Sequence, residues 1–77
     1  MGIKVILFGQ LADMANRWEL ELDDIEDTQM LQSKVHELVP ALATITYRIA
    51  VDKKLVMGNT ALSTNSTVAL LPPFSGG

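Results

Sequence analysis

The chain has 77 residues, six Lys+Arg against nine Asp+Glu, a net charge of −3 and no cysteine. That length holds one domain with a thin core, and the missing thiols exclude a disulfide framework, a thiolate metal site and a cysteine nucleophile together. Six scattered cations do not form the basic stripe that nucleic-acid binding requires. No apolar run approaches the roughly 20 residues that span a bilayer, and no basic segment leads into an apolar one as in a signal peptide. The reading therefore expects a cytoplasmic protein without membrane or nucleic-acid partners.

The first segment, Ile3 to Phe8, reads IKVILF, a β-branched and aromatic run that suits a strand. Ile3, Val5 and Leu7 fall on one face, with Lys4, Ile6 and Phe8 on the other. Gly9 ends the run, and Gln10 to Asn16 is expected to form a connection with some helical character, such as one short turn. Trp18 to Leu22 alternates, with Trp18, Leu20 and Leu22 against Arg17, Glu19 and Glu21, and predicts a half-buried strand antiparallel to the first.

The acidic stretch from Asp23 to Asp27 leads into a helix, with Asp27 or Thr28 as N-cap. Leu31, Val35, Leu38 and Val39 recur as one apolar stripe, and Pro40 stops the helix. Ile45, Tyr47, Ile49 and Val51 alternate with polar or small residues as a third strand. Asp52-Lys53-Lys54 is the next turn, and Leu55 to Met57 a short fourth strand. Ser63 to Ser66 is turn material in which Asn65 can take a positive φ; Thr67 to Leu71 is the last strand, ended by Pro72-Pro73.

This order, β-β-α-β-β-β, predicts an α+β fold: a ubiquitin-like β-grasp, a mixed sheet with one main helix packed on one face. The first and last strands should run parallel in its middle. Residues 1–71 would form the domain and residues 72–77 a flexible C-terminal tail.

Catalytic constellations are not evident. Asp23, Asp24, Glu26 and Asp27 read as a solvated loop that caps a helix rather than as paired acid–base carboxylates. His36 lies off the apolar stripe and reads as a surface residue, with no metal-ligand spacing around it. Met14, Met30 and Met57 read as core or edge fillers.

The informative feature is Pro72-Pro73-Phe74-Ser75-Gly76-Gly77. Two glycines add nothing to packing and are expensive to order, but a tip without Cβ atoms can enter a narrow channel and present its carboxylate there. A free carboxylate is a poor acyl donor. Joined to AMP it becomes a mixed anhydride, and a sulfur nucleophile displacing AMP leaves a thiocarboxylate. Ile6, Phe8, Leu71 and Phe74 would add an apolar patch beside the tail, suited to a partner interface.

With these residues in view, the chain resembles the small subunit of molybdopterin synthase, the MoaD-type sulfur carriers of the ubiquitin-like MoaD/ThiS family. The resemblance spans essentially the whole chain and is carried by IKVILFGQLADM at the start and VALLPPFSGG at the end. Thiamine-pathway carriers (ThiS type) share the fold and the Gly-Gly but usually lack the preceding Pro-Pro. Thr64-Asn65-Ser66-Thr67 departs from the family's Asp-Gly-Asp-like turn.

The resemblance implies that a MoeB-type adenylyltransferase, using ATP and Mg, activates Gly77, with Gly76 beside it. It implies a thiocarboxylate at Gly77 that donates sulfur to cyclic pyranopterin monophosphate inside a heterotetramer with the MoaE-type large subunit. On that reading Ile6, Phe8, Leu71, Pro72, Pro73, Phe74 and Ser75 bind partners, and the chain itself holds no cofactor and is not an enzyme alone. A thiamine-pathway carrier and a ubiquitin-like modifier conjugated through Gly77 are the alternatives.

Overall fold

The computed structural model describes residues 2–72. Its elements run β1 (Ile3–Leu7), α1 (Gln10–Ala15), β2 (Glu19–Leu22), α2 (Thr28–Leu38), a 3-10 helix (Pro40–Thr44), β3 (Arg48–Val51), β4 (Lys54–Val56) and β5 (Thr67–Leu71). One five-stranded sheet has the order β2-β1-β5-β3-β4. β1 and β5 are parallel, and the other pairings are antiparallel. This is the expected β-grasp.

The two faces of the sheet follow from period-two alternation. Ile3, Val5 and Leu7 of β1, Leu20 and Leu22 of β2, and Val68 and Leu70 of β5 are buried against Leu31 and Val35 of α2. Asp27 starts α2, its side chain accepting from the Met30 N–H at 2.9 Å. Pro40 follows the cap residue Val39 and opens the 3-10 helix at a position where its missing N–H costs nothing. The β3–β4 hairpin turns on Asp52 and Lys53, both with positive φ (49° and 73°), the two-residue geometry that matches strand twist. Asp52 also accepts from the Thr67 N–H at 3.0 Å and ties the hairpin to the start of β5.

Several local expectations are corrected. The segment after Gly9 is a six-residue helix closed by Asn16 in the left-handed conformation. Trp18 precedes β2 and is 64% exposed; it stands at the end of an edge strand, where the alternation has no neighbour to bury it against. Leu38 is exposed as well, because the fully buried Leu42 of the 3-10 helix joins the core after α2 ends. The third strand begins only at Arg48; Ile45 and Tyr47 still pack against the core without ladder partners. β4 is Lys54–Val56 rather than 55–57. Asn65 is not among the residues with positive φ, and the turn is closed instead by Ser66 N–H to Ser63 O and Ser63 N–H to Ser66 Oγ. Met14 packs on the core, whereas Met30 and Met57 are exposed.

Candidate functional site

The face of the sheet opposite the helices carries the candidate residues Ile6, Phe8 and Leu71. Register places one row of side chains across all five strands: Glu19 opposite Ile6, Ile6 opposite Ala69, Ala69 opposite Ala50, and Ala50 opposite Leu55. Nearer the end of β5, Leu71 stands opposite Arg48. Phe8 reaches the same level, its N–H continuing the parallel ladder to the Leu70 carbonyl at 3.1 Å. At the other end of the face Lys4 lies opposite Thr67 and Glu21 and pairs with Glu19 at 3.8 Å. The face thus carries the Lys4–Glu19 pair where β5 begins, and Phe8 and Leu71 with Arg48 beside them where β5 ends.

Phe8 is 45% exposed and Leu55 58%, while Ile6, Ala69, Leu71 and Pro72 are partly exposed. Apolar side chains grouped on one sheet face call for cover by another surface. Ile6, Phe8 and Leu71 therefore fall together, as the sequence reading places them. Leu55, Ala50 and Arg48 were not anticipated there; the signal that could have found them is strand register, which local sequence does not contain.

The root of the tail sits at the apolar end. Pro72 follows Leu71, and its ring lies beside Gly9, whose φ of +55° an L side chain rarely adopts. Pro73, Phe74, Ser75, Gly76 and Gly77 lie outside the described residues.

The other candidate groups have structural partners. The acidic loop is pinned by Thr28 N–H to Thr60 O and Leu62 N–H to Glu26 O, and Asp27 is spent as a cap. Among the described residues no group of His, Asp or Glu is arranged to hold a metal ion. His36 Nε2 meets the Tyr47 hydroxyl at 2.7 Å, with the rings edge to face. Gln32 donates to the same hydroxyl at 3.4 Å. Burial raises the Tyr47 pKa above the usual 10.0, with the Gln32 bond opposing the shift. This cluster fastens α2 to the segment before β3. No helix among the described residues is long and apolar enough to cross a membrane.

Residues 5–77 match the model of the ThiS family. The chain belongs to the ThiS family. The match includes all five strands of the sheet from Val5 onward and extends through Gly76 and Gly77. Among solved structures, the small archaeal modifier protein 1 from Methanosarcina acetivorans superposes with a TM-score of 0.86 at 23% identity, covering 99% of this chain and 96% of that one. A Pyrococcus furiosus protein assigned as molybdopterin converting factor subunit 1 gives 0.84 at 17%, covering 96% and 99%. The complex of subunits 1 and 2 of the molybdopterin-converting factor from Helicobacter pylori gives 0.74 at 24%, with full coverage of both chains. At these identities the likenesses establish the fold, the ubiquitin-like β-grasp of ThiS- and MoaD-type sulfur carriers.

Proposed function

We propose that this chain is the sulfur-donating small subunit of a molybdopterin synthase. The observation that carries the reading is the convergence of Phe8, Leu71 and Pro72 at the end of β5 from which the Gly-Gly tail departs. Such an arrangement lets a partner grip the apolar face while the tail enters that partner's active site.

The chemistry follows from the carboxylate. ATP and the Gly77 carboxylate give an acyl-adenylate and pyrophosphate on a MoeB-type enzyme that uses Mg. A sulfur nucleophile then displaces AMP and leaves the thiocarboxylate. In the MoaE-type large subunit that sulfur passes to cyclic pyranopterin monophosphate, and water takes up the Gly77 acyl group, which returns as a carboxylate for another cycle. Gly76 and Gly77 serve access, because a tip without side chains fits a channel that any Cβ would obstruct. The catalytic side chains belong to the large subunit, and Ile6, Phe8, Leu71, Pro72, Pro73, Phe74 and Ser75 are the docking residues of this one. A complex of subunits 1 and 2 exists for the H. pylori protein of the same fold, which supports assembly with a large subunit.

A second reading has its own support: the small archaeal modifier fold matches at a TM-score of 0.86, so conjugation through Gly77 to lysines is the alternative. The family shown, ThiS, keeps the thiamine pathway as a third. The test is reconstitution. Thiocarboxylated protein mixed with the large subunit and cyclic pyranopterin monophosphate is expected to yield molybdopterin; transfer instead to a thiazole precursor, or isopeptide adducts alone, would overturn the assignment.

A further inference from the structure

We propose that Arg48 reads a carboxylate on the protein that docks over the open sheet face, so that this one guanidinium sets which partner the apolar patch accepts. The inference rests on the docking reading above and adds the chemistry the partner must carry.

Arg48 opens β3 and lies directly opposite Leu71 in the antiparallel ladder, beside the root of the tail. It is exposed, and among the described residues its side chain has no hydrogen bond or ion pair. Of the other cations near this face, Lys4 is already matched by Glu19, and Arg17 precedes β2 and lies across β1 and β5 from Arg48. The two acids of β2 on this face, Glu19 and Glu21, stand across β1 and β5 from Arg48. A surface that closes over Phe8 and Leu71 therefore strips water from an unmatched positive charge set among apolar groups.

Such a charge is strongly unfavourable in an interface unless the partner supplies an acceptor. A guanidinium has a planar fork of donors that fits a carboxylate bidentately and gives direction as well as strength. Charge complementarity thus commits the occupant: a folded subunit with an apolar surface and an Asp or Glu placed opposite β3. A partner lacking that acid meets the same apolar patch with a buried unpaired charge, and is rejected by it.

The experiment is calorimetric titration of the full chain against the large molybdopterin-synthase subunit from the same genome. Wild type, Arg48→Leu, Arg48→Lys and Arg48→Glu are compared, with thermal melts confirming that all four are folded. Arg48→Leu is expected to weaken binding about 30-fold or more, as for other hydrogen-bonded charge pairs that lose one member. Arg48→Glu should lose more, and Arg48→Lys should recover only part. Affinity of Arg48→Leu equal to or tighter than wild type, or no difference between the Leu and Lys variants, would overturn the inference while leaving the docking reading intact. Absence of binding by wild type would overturn that reading, and this inference with it.

Discussion

Pro72 stands beside Gly9, where a β-carbon on the glycine would make an ordinary van der Waals contact of 3.4 Å with Pro72 Cγ. Gly9 also has φ 55° and ψ −128°, a conformation that precedes α1 and that L residues seldom tolerate. One residue therefore turns the chain out of β1 through a backbone conformation that glycine alone adopts readily, beside the proline that follows β5. Gly9→Ala should destabilise the fold by about 1–3 kcal/mol from backbone strain alone. Urea melts read this; an unchanged midpoint would show that the turn relaxes.

The core is concentrated under α2. Leu31 is fully buried, whereas Leu38, on the next part of the same helix, is 51% exposed. Leu31→Ala should cost about 2–5 kcal/mol, and Leu38→Ala should stay within about 0.5 kcal/mol of wild type. Equal losses in paired denaturant titrations would contradict the placement of Leu42 as the residue that continues the core.

This contrast marks how far the sequence could be read. Alternation in IKVILF assigned both faces of β1, Asp27 marked the start of α2 and Pro40 its end, because each is a local constraint. Leu38 and Trp18 fit their periodic patterns yet are exposed, since burial depends on whether another element lies over the stripe. Phe8 and Leu71 could be placed from their own strands. Leu55 and Arg48 could not, because the order β2-β1-β5-β3-β4 and the Ala50–Leu55 register are set between distant segments.

Phe8→Ala should leave stability nearly unchanged while weakening assembly with the large subunit by about 1 kcal/mol or more, as expected for a central aromatic anchor. Titration against that subunit measures it. Undiminished affinity would remove Phe8 from the interface and shift attention to Leu55.

Tyr47 gives a pH signature. Burial holds its pKa above 10.0 in the folded chain, so ionisation favours the unfolded state. Its contribution is complete below pH 10.0 and is lost as pH rises through the higher folded value. Thermal melts across the alkaline range should therefore fall less steeply for Tyr47→Phe than for wild type above that pH. Parallel curves would mean that the hydroxyl is as solvated in the folded chain as in the unfolded one.

The central claim is that Gly77 carries sulfur, and intact-mass spectrometry tests it most directly. The protein is incubated with a MoeB-type activating enzyme, ATP, Mg and a sulfur donor, alongside a variant lacking Gly77. The account predicts a species heavier by the difference between sulfur and oxygen, localised to Gly77 and absent from the truncated chain. An unmodified mass under those conditions, with the chain folded and the activating enzyme active on its own carrier, would contradict it.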